Sequence, residues 1–227
     1  MKRIIFLLIA FCVAQLLQAQ EIFFPQKEGT VLTYKTFDKK EKETGTIRYT
    51  VKSIKKSGDN MDITYQYESI DTKDKPLFND EITVHKKGDV LYFDMSNFIN
   101  KAAFQQDGKI PAEVQVTGNN MEIPMNPAAG ASLPDASVEM AMKMGFVNMK
   151  ISASVTNRKF EGKESLITKA GTFDAYRFSG LVSTSSIGIK MNTTISEWYV
   201  KGIGIVKSVN LDKSGKMVSY IELVEVK

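Results

Sequence analysis

The chain holds one histidine, His85, and one cysteine, Cys12. Structural or catalytic zinc needs several His or Cys ligands at fixed spacing, so no metal site is expected. A Ser-His-Asp system would have to run through His85, which falls on the polar side of a strand, and no strand-turn-helix serine elbow is present. A solvated surface histidine is the plainer reading. Gly202-x-Gly204 followed by Lys207 has the look of a phosphate loop, but it lacks the third glycine and the helix whose amides would face a phosphate. A sheet bend and close packing beneath Trp198 account for those glycines better. Paired carboxylates across a cleft would suit glycoside hydrolysis. However, Glu68, Asp80, Glu81 and Glu122 all fall on polar faces or loops, where solvated charge is the usual meaning. Asp59-Asn60-x-Asp62 and Asp71-x-x-Asp74 lack the glycine and terminal glutamate of a calcium loop. No catalytic residue, metal or cofactor follows, and the chain is expected not to be an enzyme.

The methionines point elsewhere. Met140, Met142 and Met144 project from one face of a strand, and flexible thioether side chains suit a pocket that accepts varied apolar ligands. Ordinary core filling is the competing reading, and copper(I) binding is a third, weakened because methionines at period two need not converge on one point. With Tyr65 and Trp198, the chain's single tryptophan, they form the candidate ligand-binding set.

The elements that must position these residues are strands. Met61, Ile63, Tyr65 and Tyr67 alternate with Asp62, Thr64, Gln66 and Glu68, the signature of a strand with one buried and one wet face. Leu32 and Tyr34 share a face, as do Ile82 and Val84. Val114-Gln115-Val116 and Met121-Glu122-Ile123 read as short strands joined by Gly118-Asn119-Asn120. Asp71 to Asn79 reads as a loop, residues 95 to 106 as a helical turn or two, and Pro124 to Pro134 as a loop crossing one end of the sheet. Turns beginning at Asp38, Asp71 and Asp212 repeat one pattern, an aspartate that bonds its own backbone beside solvated lysines. The sum is about ten to twelve strands, the spacing of a single all-β antiparallel curved sheet or barrel.

Met1 to Ala19 reads as a secretory signal peptide: a basic start, an apolar run from Ile4 to Val13, and a polar-to-small exit. Cys12 lies within that run after Phe11, so no lipobox is present. Residues 20–227 then form one cysteine-free domain with 28 Lys and Arg against 26 Asp and Glu, a formal charge of +2. That balance gives no electrostatic case for nucleic acid. No later stretch is long enough to cross a membrane as a helix.

Three motifs fit together. Phe24-Pro25 with Glu28-Gly29-Thr30 comes first, Ala170-Gly171-Thr172-Phe173 with Tyr176 second, and Trp198-Tyr199 with Gly202-x-Gly204-x-Val206-Lys207 third. Over nearly all of residues 20–227 the chain resembles the bacterial exported family known as domain of unknown function 3108 (DUF3108), and more closely its TapB-like relatives from Bacteroides-type bacteria. The resemblance implies an exported, mostly antiparallel β protein with a lipocalin-like or lipoprotein-carrier-like curved sheet. It carries no catalytic residues. The expectation is a non-catalytic periplasmic or envelope binding module for an apolar ligand such as a lipid. The alternative is an envelope structural or assembly factor that works on a protein partner.

Overall fold

The computed structural model describes residues 22–98, 114–144, 147–186 and 189–227. The leader expected at 1–19, and the part of the expected helical segment beyond residue 98, lie outside them. Among the described residues, thirteen antiparallel strands form one sheet. In chain order they are β1 (Val31–Asp38), β2 (Glu43–Ser57), β3 (Asn60–Asp71), β4 (Pro76–Lys87), β5 (Val90–Asp94), β6 (Val114–Gly118), β7 (Asn120–Pro124), β8 (Ala136–Met144), β9 (Val147–Thr168), β10 (Gly171–Ser186), β11 (Ile189–Val200), β12 (Gly204–Leu211) and β13 (Met217–Val226). Met95–Phe98 make a single 3-10 turn.

The spatial order is β6-β8-β9-β10-β11-β12-β13-β1-β2-β3-β4-β5-β7. The two edge strands, β6 and β7, are thus consecutive in sequence. They do not pair as a hairpin. Asn119 sends them to opposite edges of a sheet that curls nearly into a closed barrel, and it fastens the junction itself. Its Nδ2 donates to the Asp135 carbonyl and its Oδ1 accepts the Ser137 amide, both at 2.8 Å. Gly118 is required beside it: its φ is +154°, and a Cβ there would fall 2.2 Å from the Ser137 carbonyl oxygen.

The period-two pattern of β3 is realised: Met61, Ile63 and Tyr65 are buried, while Asp62 is exposed. Leu32, Tyr34 and Val84 also face the core. The three aspartate turns form as read, with one carboxylate oxygen of Asp38, Asp71 and Asp212 accepting two backbone amides each. These bonds hold the Asp38 carboxyl below its ordinary range, and for Asp212 the Ser214 hydroxyl, which also donates to it, does so together with the backbone amides.

Two expectations need correction beyond the number of strands. The stretch read as a loop from Asp71 to Asn79 is a tight turn only, because β4 already begins at Pro76, a position where a strand tolerates a missing N–H. The proline-rich stretch after β7 does not cross an end of the sheet. It lies along β9, where the Gly130 amide donates to the Phe160 carbonyl, the Phe160 amide to the Ala131 carbonyl, and the Leu133 amide to the Arg158 carbonyl.

Candidate functional site

A cavity of about 570 Å³ opens inside the curl of β1–β5 and β11–β13. Its walls follow from strand phase. Tyr34 on β1, Tyr49 on β2, and Tyr65 and Tyr67 on β3 share the inner face and touch in sequence, with ring centroids 5.2, 5.2 and 5.4 Å apart for the pairs 34–49, 49–65 and 49–67. Phe78 extends this band onto β4, 5.7 Å from Tyr67. Tyr199 on β11 completes the set of tyrosines. Ile205 and Ile221 supply aliphatic wall. Leu77, Asp94 and Asn97 are its exposed lining residues.

Phe23 and Phe24, in the segment Ile22-Phe23-Phe24-Pro25, form another wall. Ile22 and Phe23 are fully buried. Phe23 sets its ring edge-on to Tyr176 at 4.8 Å and to Tyr199 at 5.9 Å, and Phe24 packs on Tyr65 at 5.1 Å. The glycine motif serves this segment. The Gly202 amide donates to the Ile22 carbonyl at 2.7 Å, and a Cβ on Gly204, whose φ is +104°, would lie 3.3 Å from the Phe23 carbonyl oxygen. These glycines receive the N-terminal segment and do not pack beneath Trp198, which corrects the earlier expectation.

Polar groups gather at the inner end. Glu197, one position out of phase with Trp198, shares the face of Tyr199, whose hydroxyl donates to Glu197 Oε2 at 3.1 Å. Burial pushes the Glu197 carboxyl above its ordinary value, opposed in part by the Tyr199 hydrogen bond and by Arg158. Arg158 is buried on β9, and desolvation lowers the pKa of its guanidinium. Its Nη1 and Nη2 donate to the carbonyls of Pro134 and Glu122 at 2.6 and 2.7 Å. A small space of about 20 Å³, room for one water molecule, separates Arg158 from Glu197 and Tyr199. Burial also raises the phenol pKa of Tyr34, Tyr49, Tyr65 and Tyr199, so these hydroxyls stay neutral near pH 7.

The candidate ligand-binding residues are dispersed. Tyr65 lines the cavity. Met140 and Met142 are buried in the main core cluster and are not among the lining residues. Met144 ends β8, and its side chain lies outside the described residues. Trp198 packs on a second cluster around Leu32, Tyr34, Val206 and Leu223, beneath the tip of the β9–β10 hairpin, and its Nε1 donates to Glu164 Oε1. His85 is half-exposed and meets Asp62 of the neighbouring strand at 2.7 Å. Among the described residues no group of three or more His, Cys, Asp or Glu is placed to hold a metal ion.

The sequence reading passed over Glu197 and Arg158. Glu197 was accessible from the phase of Tyr199. Arg158 was not, because a bulge places it: Asn157 takes φ +52° and the inward phase of β9 shifts from Val155 to Arg158. Gly180 on β10 stands opposite, where a Cβ would lie 3.0 Å from Val155 Cγ1 and 3.5 Å from Arg158 Cγ.

The motif residues mostly build the frame. Glu28 Oε1 accepts the Ile54 amide at 2.8 Å beside a bulge in β2, and Gly29 donates to the Val51 carbonyl at 2.8 Å. Next to Ala170 at the β9–β10 tip, the Lys169 amide donates to Glu222 Oε1 at 3.1 Å.

Comparison with known proteins places this architecture. A candidate exported protein with a YmcC-like fold from Bacteroides fragilis aligns over 91% of this chain and 99% of its own, with 22% identity and a TM-score of 0.72. A candidate lipoprotein from Parabacteroides distasonis aligns over 92% of this chain and 100% of its own, with 24% identity and a TM-score of 0.75. Both share the fold. No curated protein matches the sequence. The DUF3108-like family model matches residues 27–223, and the chain belongs to the DUF3108-like family.

Proposed function

We propose that this is an exported, non-catalytic binding or carrier protein of the bacterial envelope, of the TapB-like type, and that its barrel lumen takes an apolar ligand such as a lipid. The observation that carries this reading is the aromatic cavity of about 570 Å³. That volume lies within the range of about 300–1,000 Å³ typical of small-molecule sites, and largely apolar walls with a few convergent polar groups are the usual composition of such sites. The export assignment is supported by the names of the two structural relatives, a candidate exported protein and a candidate lipoprotein. It agrees with the leader read at residues 1–19. The non-catalytic reading rests on the site's chemistry: the Tyr199 hydroxyl donates to the half-buried Glu197 carboxyl, and the one histidine sits outside the cavity on a half-exposed strand position.

A neutral fluorescent reporter of apolar sites, N-phenyl-1-naphthylamine, tests the reading. The protein, purified without detergent, should bind it with a rise in emission. Ser69→Trp, which places a large ring on the cavity wall, should abolish the rise and leave the circular dichroism unchanged. Equal binding by the variant would put the site elsewhere. No binding by either protein would favour the assembly-factor alternative.

A further inference from the structure

The cavity's charge and ring inventory restricts what it can hold. Its described lining includes two carboxylates, the exposed Asp94 and the half-buried Glu197, and no lysine, arginine or histidine. The buried cation Arg158 borders the small inner space beside Glu197 and commits two donors to backbone carbonyls. A fatty acid or a lipid phosphate deep in this lumen would find no cation among the described lining residues to offset its desolvation. The described lining includes five electron-rich tyrosine rings instead, and the Tyr34–Tyr49–Tyr65–Tyr67 band concentrates four of them on three adjacent strands. Aromatic faces grouped around a carboxylate are the arrangement that recognises organic ammonium ions.

We infer that the lumen selects a cationic amphiphile, an apolar body carrying an amine or quaternary ammonium group, whose charged end is held among the tyrosine rings by Glu197. This rests on the carrier reading and sharpens it. Without a ligand, Glu197 is a partly buried acid whose ionisation burial opposes. An ammonium group beside it would reverse that opposition, so ligand and carboxylate stabilise one another's charge. Exposed Asp94 adds a second negative charge to the described cavity wall.

Three ligands with the same ten-carbon chain separate the possibilities: decyltrimethylammonium, 1-decanol and decanoate, each below its micellar concentration. Isothermal titration calorimetry on the purified chain at pH 7 should give the ammonium an affinity roughly fivefold or more above the alcohol, with decanoate weakest. Glu197→Gln should remove most of the ammonium's advantage and leave the alcohol's affinity close to wild type. If that variant does not fold, Tyr67→Leu, which keeps an apolar wall and removes a ring face, should narrow the same gap. Decanoate binding as tightly as the ammonium, or equal affinities for all three, would overturn the inference and leave the carrier reading standing. Binding of none of the three would overturn both.

Discussion

Arg158 and Glu122 lie 36 residues apart, yet Arg158 Nη2 donates to the Glu122 carbonyl at 2.7 Å. Glu122 belongs to β7, the last strand of the sheet, and Arg158 reaches it from β9, near the other edge. With its second bond, to the Pro134 carbonyl at 2.6 Å, this side chain fastens the seam where the sheet closes on itself. A planar guanidinium suits the task because it offers several donors in a fixed geometry and stays charged. The same residue flanks the space beside Glu197 and Tyr199, so closure of the barrel and the inner end of the cavity share one residue.

Arg158→Met should therefore cost stability. Hydrogen bonds from charged groups contribute about 1.5–3 kcal/mol each, so losing two should lower unfolding free energy by at least about 2 kcal/mol in urea titration. An unchanged midpoint would mean that the seam is held elsewhere.

Gly118→Ala should be more damaging than Gly130→Ala. Both backbones have positive φ, but only Gly118 would drive its Cβ into backbone, at 2.2 Å from the Ser137 carbonyl oxygen; Gly130 meets nothing within 4 Å. Thermal melts should show the larger fall in Tm for Gly118→Ala. The reverse order would argue against the Asn119 junction as drawn.

Phe23→Ala should remove a fully buried ring in contact with Tyr176, Phe178 and Tyr199. Truncations of this kind cost about 3–5 kcal/mol. The variant should also bind N-phenyl-1-naphthylamine differently, because Phe23 is both core and cavity wall. A loss of less than about 1 kcal/mol, against that range, would show that the N-terminal segment is not docked in solution.

The pH dependence has a definite sign. Burial raises the Glu197 carboxyl above its ordinary 4.5, so the folded chain holds this proton more tightly than the unfolded one. The stabilisation is complete below about pH 4.5 and is lost as pH rises through the folded value. The groups facing Glu197 are Arg158 on β9, Tyr199 on its own strand and Tyr49 on β2. Arg158 and the Tyr199 bond reduce the shift without cancelling it. Glu197→Gln should accordingly be more stable than wild type at pH 7–8, with the difference shrinking toward pH 4. Urea titrations across that range check this, and a constant difference would contradict it.

The sequence made the frame legible where one face is buried and the other wet. Met61 to Tyr67 gives strand β3 and its inward face directly, and the aspartates at 38, 71 and 212 give their turns because the mechanism is local. The site was less legible for two physical reasons. Arg158 turns inward only because the bulge at Asn157 resets the alternation, and the fit of Gly180 against it is a contact between strands. The role of Gly202 and Gly204 depends on a segment about 180 residues away, which no local pattern announces. Met140 and Met142 illustrate the converse: alternation placed them correctly on an inner face, but inner face here means packed core, while the open volume lies around the tyrosines of β1 to β3.

The most direct test of the central claim is native mass spectrometry of the chain purified from its own envelope fraction without detergent. The carrier account predicts a reproducible added mass that dissociates on denaturation and is absent from Ser69→Trp. A clean polypeptide mass, together with failure to take up any of the three ten-carbon ligands, would contradict it.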